Sequence, residues 1–447
     1  MDAQIRTVSY PNGEIQRVQL VRWEDWGKLE FWKPKYSEAS ISCFERIYRQ
    51  FLVPACPWLF GNMVMFQLPE DMEVPFSMET AKYGRLSSSL TAAAAALEAG
   101  VHFRGKSPIF RDKSTESFYR ELECRKCLHV VRGRLPITTI IPVGNLSGFL
   151  TESERDSALK VNASFFIMDR FDSATVYDHI GVHLGLCVKN GVVENPPLYK
   201  REALLVKKDG TVSVTMPELK DLTLRIGEKS YLPGKNAAVF TRPRHFRTPP
   251  TAGNQLVIIG RQVAAVVEKG SIPVPASGFV LCPERECTAA PGDTVLYQGM
   301  EDVLFGIQVG NSILRDGVKT EKFISRFYNI RHLQPVPYPP SLYPMNFRKS
   351  RAARIALGAD KDGKPMLLWA EGAGKLRYIP GQDSCGASLS EMAEICAAVG
   401  MVNAVNLDGG GSAQLLLKNK RSLLISDRRE EDNSECERPV PLALMIK

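Results

Sequence analysis

The sequence predicts an α+β fold, a β-rich mixed-sheet domain preceded by a smaller α+β unit. Three observations carry that expectation. Beyond Cys127, short apolar and β-branched runs follow one another, separated by turn residues such as Asp209-Gly210. The first 124 residues instead combine a hairpin signal with helix-forming stretches. Near the C-terminus, residues 403–417 set a carboxylate and three glycines between two apolar runs.

Taken in order, residues 5–10 and 14–20 flank Asn12-Gly13, the dipeptide of a two-residue hairpin turn. Residues 40–51 put Ile41, Phe44, Ile47 and Phe51 on one side of a helix, and the Ala-rich stretch 86–99 is helical by propensity. Trp23, Trp26, Trp32 and Trp58 gather in this unit and read either as a small aromatic core or as a surface for a partner or a sugar. Strand-like runs then cover 128–131, 138–142, 204–207, 211–215, 255–259, 263–267 and 278–281. Five prolines in 335–344 make an extended connector. The expected division is an N-terminal α+β extension, 1–124, and a larger β-rich domain, 125–447.

Composition bounds the function. Of 447 residues, 44% are hydrophobic and 24% charged, which is the balance of a globular chain. A net charge of +8 favours acidic ligands, yet it is too mild to argue for nucleic acid. No apolar stretch approaches the ~18 residues that cross a bilayer. The start, Met1-Asp2-Ala3-Gln4-Ile5, lacks a basic segment followed by an apolar one, so a cytoplasmic location is expected. Ten scattered cysteines with one CxxC pair, Cys124 and Cys127, fall short of a zinc set and read as mostly reduced structural thiols.

The stretch that organises the chain is Asn406-Leu407-Asp408-Gly409-Gly410-Gly411-Ser412. Ser388 and Glu391 have capping-box spacing, and Met392, Ile395, Cys396 and Val399 recur at helical intervals before Gly400. That predicts a helix over 388–399, a strand over 402–407, and then the glycine loop. One glycine suffices for a turn; three beside a strand-end carboxylate suit a loop that holds a polar or anionic ligand. Asn162, in Asn162-Ala163-Ser164-Phe165-Phe166, either satisfies local backbone or points into a site. Arg354 enters the apolar run that follows Arg348, Lys349 and Arg351, where a guanidinium needs a partner or a bound anion. His179 and His183 stand four apart in apparently extended chain and do not converge on a metal.

Together, Asn162 to Phe166, Gly185 to Gly191, Gly292 to Val295, Gly310 to Gly317, Arg354 to Gly358, Asn406 to Ser412 and Arg438-Pro439-Val440 resemble the phosphodiester glycosidase family, in order over roughly 127–447. Ala163-Ser164 stand where that family carries glycines. The resemblance implies hydrolysis of the glycosidic C–O bond of a sugar-1-phosphodiester, GlcNAc-1-phosphodiester-like, giving a sugar and a phosphomonoester. It assigns catalytic roles to Asp408, Arg354 and Asn162, with Arg354 on the phosphate, and substrate contacts to Asn406, Gly409, Gly410, Gly411 and Ser412. Glu371 and Asp383 are candidates for a second carboxylate, and retaining and inverting chemistry both stay open. No metal or cofactor is required, although a structural divalent cation is compatible. The partner is a small-molecule or glycan phosphodiester; neither nucleic acid nor a membrane span is expected, and the oligomeric state is open. The alternative is a non-catalytic glycan- or phosphate-binding module on the same fold.

Overall fold

The structure is a computed structural model. It describes residues 1–34, 37–47, 50, 62–69, 71–76, 79–80, 83–105, 107–131, 138–142, 148–152, 156–167, 175–179, 181–199, 201–242, 244–285, 287–320 and 350–447. Trp58, the proline-rich 335–344, Arg348 and Lys349 lie outside these residues.

Antiparallel pairing dominates. A seven-stranded sheet runs in the order Asp2–Ser9, Ile15–Arg22, Pro365–Ala370, Arg354–Asp360, Met401–Asn406, Ser312–Arg315, Val318–Lys319. Beside it lies a four-stranded sheet of Leu415–Leu417, Leu159–Asn162, Ala443–Ile446 and Leu29–Trp32. Further sheets of six and five strands, two of three and one of two make up the rest of the described β-structure. Among the described strands, the pairing of Asn62–Phe66 with Thr138–Pro142 is parallel, which makes the β-structure mixed. The expected α+β, β-rich class is what is found.

The central strands are buried on both faces, which is why they read as continuous apolar runs without alternation. On one face Val18, Leu20, Ala356, Met366 and Leu368 pack under the helix Leu389–Ala398, through Leu389, Met392 and Cys396. On the other, Ile355, Leu357, Leu367, Trp369 and Val405 meet Leu159, Val161, Leu204 and Phe305 of neighbouring sheets. Trp23 and Trp26 belong to this second core; Trp26 stacks on Phe305 with ring centroids 5.7 Å apart. These tryptophans therefore form an aromatic core.

The boundary expected at 124/125 is not a seam in the hydrogen bonding. The Asn12-Gly13 hairpin forms, but its second strand pairs Val18 with Ala370 and Arg22 with Met366. Leu29–Trp32 pairs with Ala443–Ile446, and Gly84–Leu86 with Ala265 and Val266. Local composition changes near residue 125, yet the apolar edges that these strands cover lie hundreds of residues away.

Removing residues 1–124 therefore exposes the edges of Pro365–Ala370 and Ala443–Ile446. Such a shortened chain is expected to lose cooperative thermal unfolding, measured by circular dichroism against the full chain. A soluble fragment with an equally sharp transition would contradict this.

Candidate active site

The chain reaches the site through elements the sequence encodes locally. Ser388 caps the helix Leu389–Ala398, with the reciprocal Glu391 bond of a capping box, and Gly400 (φ +92°) turns it into Met401–Asn406. Leu407 continues the ladder by donating to Ile355 O at 2.8 Å. At Asp408 the chain leaves the seven-stranded sheet, its amide donating to Ala163 O at 3.0 Å, and by Leu415 it has joined the four-stranded one. Asp408 thus sits where one chain crosses between two sheets.

Asp408 is 8% exposed as a residue. The Gly409 amide donates to Oδ1 at 2.9 Å, and the Ser412 hydroxyl bonds to the carboxyl. Burial pushes its pKa up to about 6; Ser412, Arg438, the Gly409 amide and Arg354 oppose the rise.

Asn162 holds this corner together. Its Nδ2 donates to the Asp408 carbonyl at 2.9 Å, and its Oδ1 accepts from the Gln414 amide at 2.8 Å. With the residue 1% exposed and both ends of the amide on backbone, Asn162 positions the loop. Asn406, 2% exposed, lies against Gly310, where a Cβ would come within 2.8 Å of its Nδ2. Its Oδ1 is buried with no hydrogen-bond partner among the described residues.

Each glycine of the loop has its own reason. A Cβ at Gly409 would stand 2.7 Å from Ala353 O and 3.7 Å from Arg354 Nη1. Gly410 adopts φ +61°. A Cβ at Gly411 would fall 2.3 Å from Arg438 Nη2 and from both carboxylate oxygens of Asp427. The amides of Gly409, Gly410 and Ser412 are engaged within the protein, on Asp408 Oδ1, Ala353 O and Gly409 O. The loop is therefore shaped by its neighbours, and its partly exposed Gly409 and Gly410 form its solvent face.

Sequence reasoning missed those neighbours. Asp427, fully buried, is bound by Arg438 at 2.8 and 2.9 Å and by the Lys375 ammonium at 2.5 Å. Arg438 and Lys375 hold its carboxyl below the usual range despite burial. Arg438 Nη1 also lies 3.5 Å from Ser412 Oγ, which links this ion cluster to Asp408. Arg438 stood in a recognised motif; Asp427 gave no signal, because its neighbours Arg428, Arg429 and Glu430 make the stretch read as solvated.

Arg354 is 1% exposed, its Nε on Ala387 O and its Nη2 on Ser350 O, both at 3.1 Å. Burial lowers its pKa to about 10, with Asp408 as the opposing charge. It lies beneath the loop as a counter-charge to Asp408. Glu371 is engaged elsewhere, by Arg17 at 3.0 Å, the Leu424 amide at 2.7 Å and the Ser384 hydroxyl. Asp383 accepts from the Ile379 amide in its own turn, at 2.7 Å. Neither candidate joins Asp408 through a bond among the described residues.

A cavity of about 660 Å³ opens elsewhere, between Lys33, Ser88, His179, His183 and Arg261, and none of the residues around Asp408 lines it. Among the described residues no group of three or more His, Cys, Asp or Glu side chains could hold a metal. No described helix is long and apolar enough to cross a membrane.

Residues 285–447 match the sequence model of the phosphodiester glycosidase family, and the chain resembles that family. N-acetylglucosamine-1-phosphodiester alpha-N-acetylglucosaminidase from Mus musculus and from Homo sapiens are each 35% identical to it over 95 residues, 21% of this chain. That stretch covers only 17% of the length of either relative. Among solved structures, the zebrafish catalytic domain of the same name, auto-inhibited by its pro-peptide, aligns at TM-score 0.38 and 12% identity, over 100% of this chain and 82% of that one. A hypothetical protein from Synechocystis aligns at 0.42 and 15%, over 100% and 62%.

The raised pKa of Asp408 has a signed consequence. Between about 4 and about 6 the folded chain keeps a proton that the unfolded chain has lost. The stability this carboxyl contributes is fully present below about 4 and gone above about 6. Asp408→Asn should therefore gain stability relative to the wild type across that window, by up to roughly 3 kcal/mol. Urea unfolding of both proteins across this pH range checks it; a difference that does not change with pH would contradict it.

Proposed function

We propose that this chain hydrolyses the glycosidic C–O bond of a sugar-1-phosphodiester of the GlcNAc-1-phosphodiester kind, releasing the sugar and a phosphomonoester. The observation that carries the reading is Asp408: a nearly buried carboxyl, tuned to about 6 and flanked by cations, inside the stretch that matches the family. Two carboxyl groups with pKa values pushed apart, as those of Asp408 and Asp427 are, divide chemical roles by environment.

Phosphate departs readily, so protonation of the leaving oxygen matters less here than for an ordinary glycoside. The demand falls on a carboxylate facing the oxocarbenium-like carbon and on positive charge facing the phosphate. Asp408 meets the first, as nucleophile or by activating water, and either role needs its ionised form. Arg354 and Arg438 set a positive field at the loop, and Lys375, with its side chain 30% exposed, is the cation of the cluster open to solvent. Ser412 orients the Asp408 carboxyl, while Asn162 holds the backbone that presents it.

The test is kcat/KM against pH on a methyl diester of GlcNAc-1-phosphate. It should rise about tenfold per pH unit up to about 6 and then level. Asp408→Asn should lower kcat by roughly 10²–10⁴ with the fold retained. Unchanged turnover in that variant would remove Asp408 from the chemistry. Binding of the diester by the wild type without turnover would favour the glycan- or phosphate-binding module.

A further inference from the structure

Cys43, in the helix Glu38–Ile47, and Cys436, two residues before Arg438, are 393 positions apart in sequence, yet their sulfurs lie 3.7 Å apart. Both are buried, 6% and 2% exposed. The Arg46 guanidinium spans the pair, with Nη2 3.2 Å from Cys43 Sγ and 2.9 Å from Cys436 Sγ. Two thiols in reach of each other beneath one cation differ from the other described thiols. Burial raises Cys187 to about 12 and Cys282 to about 11, and pushes Cys385 and Cys396 up as well. At Cys43 the hydrogen bond from Cys436 and the Arg46 charge outweigh burial and bring the thiol down to about 7.

We propose that Cys43 and Cys436 form an oxidisable dithiol, a modification site that takes hydrogen peroxide or another small hydroperoxide and yields an intrachain disulfide. The Cys43 thiolate attacks one peroxide oxygen and breaks the O–O bond; the departing hydroxide takes a proton and leaves as water. The Cys436 sulfur then attacks the resulting sulfenic sulfur, and its proton leaves with the displaced hydroxyl as a second water. Two thiols and one peroxide give one disulfide and two waters, with two electrons passing from sulfur to oxygen.

The bond would fasten the helix Glu38–Ile47 to the segment that carries the ion cluster. Cys436 donates its amide to Asp427 O at 3.0 Å, and Cys43 Sγ bonds to Glu437 O at 3.2 Å. Oxidation would thus tie an N-terminal helix to the two residues that precede Arg438.

The test treats the full chain, first fully reduced, with hydrogen peroxide, blocks the remaining thiols and maps peptides by mass spectrometry. A linked peptide joining Cys43 to Cys436, two hydrogens lighter than its parts, is expected before loss of the exposed Cys124 thiol. Arg46→Gln should slow the link about tenfold at neutral pH, by lowering the thiolate fraction. In Cys436→Ser, dimedone should trap Cys43 as its sulfenic acid. Oxidation of Cys124 while Cys43 and Cys436 both remain alkylatable in the wild type would overturn the proposal. Linking at the wild-type rate in Arg46→Gln would overturn the part assigned to the guanidinium.

Discussion

The ion pair of Asp427 with Arg438 sets the geometry on which the candidate site rests. Both residues are buried, so each charge depends on the other for the solvation it has lost. Removing one partner of such a pair costs about 3–5 kcal/mol, because the remaining charge stays buried and uncompensated. The pair also acts sideways. It leaves no room for a Cβ at Gly411, and Arg438 accepts at its carbonyl from Gln414 Nε2 at 2.6 Å. Through Ser412 it reaches the carboxyl of Asp408. The loop is glycine-rich because charge and backbone crowd it on two sides; only Gly410 needs its conformational freedom.

A division of labour between two carboxyl groups follows. Asp427, held low by two cations, is a fixed negative anchor. Asp408, with burial outweighing its partners, stays close to neutrality in its proton affinity and can change state near physiological pH. Arg354 completes the arrangement from beneath, a cation whose burial Asp408 offsets only in part. Asn162 keeps this electrostatic arrangement in register by holding backbone at both ends of its amide.

What was legible in the sequence was local. The capping box at Ser388 and Glu391, the stop at Gly400, the hairpin at Asn12-Gly13 and the strand that stops just short of Asp408 each follow from spacing or from a single residue's conformational preference. What was not legible depended on partners far along the chain. No periodicity within 1–124 says that Val18 will face Ala370, so the first strands read as a unit of their own. Asp427 lay within a charged run whose ordinary fate is solvent, and only the approach of Arg438 and Lys375 distinguishes it. Asn162 admitted two readings, and the donors and acceptors around it chose backbone.

The central claim is that the Asp408 corner acts on the anomeric carbon of a sugar-1-phosphodiester. Hydrolysis in ¹⁸O-labelled water tests that most directly, since the broken bond decides where the label goes. Cleavage of the glycosidic C–O bond places ¹⁸O in the anomeric hydroxyl of the released sugar and leaves the phosphomonoester without an isotope shift in its ³¹P spectrum. Label in the phosphate, with an unlabelled sugar, would mean attack at phosphorus and would contradict the account.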